Sequence, residues 1–239
     1  MITEKLFASS HHAFWNDLLP MGEHYIRSVN HDLERFDKPL QARSSPAVRG
    51  IVNELAFRLF VKATADGVSI EEIEPPAIAG AVANATAFIK SFRQHGRGPM
   101  QVPDKGAIQE ALDLARRTGD FFRQATDGQL LLQPPFQGCG WLSACEGDVL
   151  SSDTLYEVKA GARLFRMLDV RQTLVYCALN FSAKSHEIRE VGLVNPREGT
   201  YFTETLSRLC DLLAGRSSIE VLSDIVEYVS ESIGTPRVD

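Results

Sequence analysis

The chain has 239 residues, 44% of them hydrophobic, enough to bury a full core and better suited to one elaborated domain than to two. A net charge of −6 and a pI near 5.6 exclude binding of duplex nucleic acid through bulk positive charge, since that binding draws on Lys and Arg to displace condensed counterions. No run of about 18 apolar residues and no basic leader ahead of an apolar stretch occurs, which excludes a helical membrane span and leaves the expectation of a soluble, cytoplasmic protein.

The N-terminal half reads as helical. Residues 14–29 carry Trp15, Leu18, Leu19, Ile26 and Val29, interrupted at Pro20-Met21-Gly22. Pro46 opens a helix over 47–63 with Ile51, Val52, Leu55, Leu59 and Phe60 as its apolar stripe. Pro75-Pro76 begins another over 77–92, a Gly- and Pro-containing loop covers 96–106, and a further helix covers 107–122.

The pattern then changes to strands. Residues 130–138 with Trp141-Leu142 form an apolar run punctuated by Pro and Gly, read as the first strand of a meander. Ser151-Ser152-Asp153-Thr154 is a polar turn between Leu150 and Leu155, the mark of a hairpin, and its second arm over 155–161 ends at Gly161. Leu164, Leu168, Gln172, Leu174, Val175, Ala178 and Leu179 return to helical spacing, and 188–196 is an apolar-rich strand stopped by Pro196. Helices over 204–214 and 219–233 follow, with no internal repeat or low-complexity tract.

Asp148 and Glu157-Val158-Lys159 carry the chemistry in this order. Side chains alternate along a strand, so Glu157 and Lys159 share one face and Val158 points to the other. The hairpin brings Asp148 beside Glu157, so two adjacent strands present carboxylates to one divalent cation. Gln172 and Tyr176, four residues apart, share one face of the next helix.

On these residues the segment 136–203, roughly a quarter of the chain, resembles the core of the PD-(D/E)XK nuclease superfamily, the restriction-endonuclease-like fold. Gly147-Asp148 replaces the Pro-Asp of the family name, and Gln172 with Tyr176 matches the Gln-x-x-x-Tyr of RecB-like members. The resemblance implies an α/β fold whose core runs helix, three-stranded meander, helix, strand, elaborated by N-terminal and C-terminal helices. A single domain over 1–239 is then expected, mainly helical over 1–127, with its catalytic core over 128–203 and C-terminal helices over 204–239. Cys139, Cys145, Cys177 and Cys210 are scattered without a Cys-x-x-Cys pair and read as reduced thiols, which separates the chain from relatives holding an iron–sulfur cluster; neither a cluster nor a structural zinc is expected.

The resemblance also implies Mg²⁺, with Mn²⁺ as a substitute, held by Asp148, Glu157 and the Val158 carbonyl. A third acidic ligand would come from a helix. Glu54 is preferred over Glu110, because its helix is richly apolar and an inward carboxylate there needs a metal or hydrogen bonds, whereas Glu110 sits in a mixed, solvent-like pattern. The bland alternative for Glu54 is an exposed surface acid. Lys159 would orient the attacking water or accept its proton, with a pKa lowered by cationic neighbours and partial burial. Gln172 would steady Lys159, the water or a phosphate, and Tyr176 would pack beneath the site or touch the nucleic-acid backbone.

Arg163, Arg166 and Arg171 form a local basic group, as do Arg116-Arg117 and Arg93 with His95 and Arg97, while Glu220, Asp224, Glu227 and Glu231 make the C-terminal region acidic. These arginines read either as nucleic-acid contacts or as solvated helix faces. The six histidines read as surface residues; no Gly-x-Ser-x-Gly elbow or phosphate-binding Gly-Lys-Ser/Thr loop occurs. The function expected is that of a DNA endonuclease in a restriction, repair or antiviral-defence complex, with a homo-oligomer or protein partner supplying target recognition. A catalytically inactive scaffold subunit and an RNA-directed nuclease are the alternatives.

Overall fold

The computed structural model describes residues 1–92, 101–126 and 129–231. Arg93, His95, Arg97, residues 96–100 of the predicted loop and residues 232–233 of the last predicted helix lie outside them.

Three helices, α1 (Glu4–Ser9), α2 (His12–Leu18) and α3 (Gly22–His31), precede the two-residue strand β1 (Glu34–Arg35). The break at Pro20-Met21-Gly22 separates α2 from α3 as the sequence predicts. Next, α4 (Arg49–Asp66) buries its Ile51, Val52, Leu55, Leu59 and Phe60 stripe and ends at Gly67, whose φ of +67° and N–H to the Ala63 and Thr64 carbonyls close the last turn. Then come α5 (Pro75–Phe92) and α6 (Lys105–Ala125), the latter capped by Asp104, whose carboxylate accepts the Ala107 N–H at 2.8 Å.

The second half contains β2 (Leu130–Leu132), β3 (Pro135–Phe136), β4 (Cys145–Glu146), β5 (Val149–Ser151), β6 (Thr154–Val158), α7 (Met167–Ala183), β7 (Glu190–Asn195), β8 (Thr200–Thr205), α8 (Leu206–Ala214) and α9 (Ser218–Ser230). Six strands form one mixed sheet in the order β1-β8-β7-β6-β5-β2, and β3 pairs with β4 as a separate hairpin. Among the described strands β6 and β7 are the one parallel pair, and α7 makes the crossover that a parallel pair requires. The expected succession of three strands, a helix and a strand is therefore present as β2, β5, β6, α7 and β7.

Several boundaries differ from the sequence reading, among them the arm expected over 155–161, which is β6 and ends at Val158, leaving Lys159 just beyond the strand. The run over 130–142 is not one strand: Gln133 adopts φ +51° and Pro134 has no N–H to donate, so the chain leaves β2 and starts β3, which pairs elsewhere. The helix expected from 204 begins at Leu206, because Thr200–Thr205 is β8, and a core boundary at 203 would cut that strand. Thr205 ends the strand and caps α8 by accepting the Arg208 N–H at 3.3 Å. The β7–β8 turn needs its glycine: at Gly199 φ is +65°, and a Cβ would lie 2.2 Å from the Asp37 carbonyl oxygen.

The sheet separates two cores. On one face Leu155, Val191 and Leu193 pack with α7 and with apolar residues of α1, α8 and α9. On the other, Val149, Tyr156 and Val194 pack with α4 and α6, where Phe121 and Phe122 meet the Tyr156 ring edge-on at 5.9 and 5.3 Å. All four cysteines are free thiols. His11 departs from the surface-histidine reading: it is buried, stacked on Trp141, with Nδ1 3.0 Å from the Tyr228 hydroxyl. Among the described residues no helix is long and apolar enough to cross a membrane.

Candidate active site

The β5–β6 hairpin turns at Ser152-Asp153 and sets Val149 opposite Tyr156. One residue further along the same register, Asp148 falls opposite Glu157, and period-two alternation puts both on the face that packs against α7. Asp148 is anchored there because its Oδ2 accepts the Val158 N–H at 2.7 Å. Gly147 fits a crowded position, where a Cβ would sit 3.0 Å from the Phe136 ring and 3.3 Å from Leu155 and Pro134. A larger residue before Asp148 would overpack this corner. The Lys159 N–H donates to the Val194 carbonyl at 2.7 Å, so strand alternation turns the backbone groups of Val158 the other way, toward Asp148.

Glu157 is 4% exposed. Its Oε1 accepts from Lys159 Nζ at 2.6 Å, while Oε2 is buried without a hydrogen-bond partner. Lys159 Nζ also donates to Gln172 Oε1 at 2.8 Å, and Gln172 Nε2 donates to the Tyr176 hydroxyl at 2.8 Å. Asp169 completes the constellation, 3.9 Å from Lys159 Nζ. At spacings of three and four, Asp169, Gln172 and Tyr176 form one stripe of α7 facing the strand.

Electrostatics follow from this crowding. The Asp148 carboxyl is only half-buried by surface area, yet it lies deep enough among protein atoms that lost hydration, then the Glu157 charge, push its pKa well above the ordinary range; Lys159 and the Val158 N–H oppose them. For Lys159, burial alone would lower the pKa, but Glu157, Asp148 and Asp169 outweigh it and hold the ammonium above its usual value. This corrects the expectation of cationic neighbours: carboxylates surround Lys159 and keep it charged.

These groups line a cleft of about 850 Å³ between α1, α4, β6 and α7. Among the described residues its wall carries six carboxylates (Glu4, Glu54, Glu146, Asp148, Glu157, Asp169) against three cations (Lys5, Lys159, Arg163), so its field favours a cation over a phosphodiester. Glu54 lines this cleft, as expected of a ligand candidate, but its Oε1 lies 2.7 Å from Arg58 Nε. Glu110 is not in a solvent-like position. It is 0% exposed and saturated: Oε1 accepts from Arg197 at 2.6 Å and from the Ser44 hydroxyl at 3.1 Å, and Oε2 from the Arg43 and Ser44 N–H groups, each at 2.6 Å.

The basic group divides. Arg163 reaches the cleft wall but is bound bidentate to Asp169 at 2.6 and 2.8 Å, Arg166 is exposed at the start of α7, and Arg171 lies over the Trp15 ring at 5.7 Å beside Asn16, away from the site. Tyr176, only 2% exposed and stacked on Phe136 at 5.3 Å, positions Gln172 and is not an open nucleic-acid contact.

Asp169, Asn195 and Arg197 are the residues that sequence reasoning missed. The Arg197 guanidinium donates to the Ala160 carbonyl at 2.7 Å, and Asn195 Nδ2 to the Gly161 and Arg163 carbonyls at 2.9 and 3.0 Å, clamping the segment that follows Lys159. Helical spacing from Gln172 could have found Asp169; nothing local marks the other two.

The donor set suits a hard divalent ion. Two carboxylates and a backbone carbonyl, completed by water, fit Mg²⁺, and the buried, unpartnered Glu157 Oε2 is an atom such an ion would satisfy. Among the described residues no three His, Cys, Asp or Glu side chains converge as a metal site, and Glu54 on the cleft wall is paired with Arg58. No family model, curated protein or solved structure matches the chain.

Proposed function

We propose that the chain is a metal-dependent nuclease of the PD-(D/E)XK type on a restriction-endonuclease-like core, hydrolysing phosphodiester bonds. One observation carries the reading: Glu157, buried and unpartnered at Oε2, stands across the hairpin from Asp148. Like charges directly opposite each other destabilise a sheet unless something positive joins them, and Lys159 answers only one of the Glu157 oxygens.

A bound Mg²⁺ or Mn²⁺ would polarise a phosphoryl oxygen and make a water acidic enough to attack at neutral pH. Asp148, Glu157 and the Val158 carbonyl are the residues that would hold it. Lys159, kept protonated by its carboxylates, donates hydrogen bonds, either to orient the attacking water or to stabilise charge developing on the phosphate. Gln172 fixes the ammonium position and is itself fixed by Tyr176, so the donor is aimed before substrate arrives.

DNA is the substrate we assign, cut endonucleolytically within a restriction, repair or antiviral-defence complex. The net acidic cleft, with Arg171 directed elsewhere, favours dependence on a second copy or a partner protein for affinity. A monomer that binds duplex DNA tightly at physiological salt would contradict that dependence. The activity is tested by incubating the protein with single- and double-stranded DNA and Mg²⁺ or Mn²⁺. Cleavage that EDTA stops and Asp148→Ala lacks supports the assignment; inertness of both the isolated protein and its native complex overturns it.

A further inference from the structure

We infer that Lys5, presented by α1 at the lip of the cleft, receives a backbone phosphate of the bound nucleic-acid strand, an inference that rests on the nuclease reading above. Of the three cations on the cleft wall, two are committed: Lys159 to Glu157 and Gln172, and Arg163 to Asp169. Among the described residues, Lys5 is the cleft-lining cation that no hydrogen bond or ion pair ties down, and its side chain is exposed. In a wall where carboxylates outnumber cations two to one, an uncommitted ammonium is where a polyanion gains most and a metal ion gains nothing.

Its position is set by structure on both sides. Before it, the Ile2 N–H donates to the Trp141 carbonyl and the Ser143 N–H to the Ile2 carbonyl, each at 2.9 Å. After it, Phe7 is wholly buried, edge-on to Trp141 at 5.2 Å, and its carbonyl accepts the Trp15 indole N–H at 3.0 Å. Thr3 caps α1 by accepting the Leu6 N–H at 3.2 Å. The backbone under Lys5 is thus fixed while its four-carbon stem is left to reach.

The test compares wild type, Lys5→Gln and Lys5→Arg for kcat, KM, the salt dependence of KM and the Mg²⁺ concentration for half-maximal rate. Lys5→Gln is expected to raise KM about tenfold, with kcat changed far less, as loss of a charge-assisted contact implies. The slope of log affinity against log salt should shrink by about one, the signature of one lost phosphate contact. Lys5→Arg should restore both. A Lys5→Gln protein with wild-type melting behaviour, KM and salt slope would overturn the inference, as would a changed Mg²⁺ requirement with KM unaltered, which would assign Lys5 to the metal centre. If neither the wild-type protein nor its native complex cleaves, the nuclease reading itself fails and this inference with it, an outcome told apart by the wild-type lanes of the assay.

Discussion

Asp148 and Glu157 stand opposite each other on the β5–β6 hairpin, one residue beyond the Val149–Tyr156 pair, with the first anchored on the Val158 N–H and the second left with a buried, unpartnered oxygen. Two like charges in that relation weaken the empty site. Asp148→Asn can still accept the Val158 N–H while removing one charge. In EDTA it is expected to melt about 2–4 °C above wild type, the equivalent of about 1 kcal/mol in a chain of this size. The same substitution should abolish cleavage and remove the stabilisation that Mg²⁺ gives wild type. A thermal melt in which Asp148→Asn is less stable than wild type without metal would show that the pair is not in conflict.

Lys159 is the positive partner of a buried carboxylate. Replacing it with Ala leaves Glu157 uncompensated, so about 3 kcal/mol of stability should be lost, along with at least about a hundredfold in kcat. Chemical denaturation and single-turnover kinetics measure the two losses. If Lys159→Ala cuts at the wild-type rate, the lysine has no part in the chemistry.

Tyr176 acts through Gln172. Tyr176→Phe removes the hydroxyl that accepts from Gln172 Nε2 and should reduce kcat/KM by less than about tenfold, the worth of one neutral hydrogen bond. Because the two residues form one chain to Lys159, adding Tyr176→Phe to Gln172→Ala should cost nothing further. Additive losses in this double-mutant cycle would separate Tyr176 from the site.

The Glu110–Arg197 pair supports the site from beneath. Burial alone would raise the Glu110 carboxyl, but the Arg197 guanidinium and the Ser44 and Arg43 N–H groups outweigh it and leave its pKa below the usual value. A depressed folded-state pKa gives stability that is present above the unfolded value of about 4.3 and is lost as pH falls through the folded one. Glu110→Gln should therefore cost about 3–5 kcal/mol at neutral pH, and its stability should fall less steeply than that of wild type below about pH 4. Parallel acid-unfolding curves for the two proteins would place the acid sensitivity elsewhere.

What was legible in the sequence was local. Period two carried from Glu157 on β6 to Lys159 just past its end put the two on one face, the polar turn after Asp148 announced the hairpin, and a four-residue spacing joined Gln172 to Tyr176. The same helical rule extended three residues back reaches Asp169. Where proximity in sequence was used as a stand-in for proximity in space, it misled: Arg171 follows Arg163 and Arg166, yet helical rotation turns it onto Trp15. The partnership of Glu110 with Arg197 spans 87 residues and depends on how α6 docks beneath the sheet, which no local pattern encodes. Asp169, Asn195 and the exposed Lys5 carry their roles through the neighbours that folding supplies.

In the proposed enzyme Asp148 and Glu157 hold one divalent cation between them. Crystals grown with Mn²⁺ and measured at an anomalous wavelength locate that ion. An anomalous peak is expected about 2.0–2.6 Å from a carboxylate oxygen of each residue and from the Val158 carbonyl, absent in Asp148→Ala crystals treated alike. No peak between the two carboxylates at saturating Mn²⁺, or one that survives loss of Asp148, would contradict it.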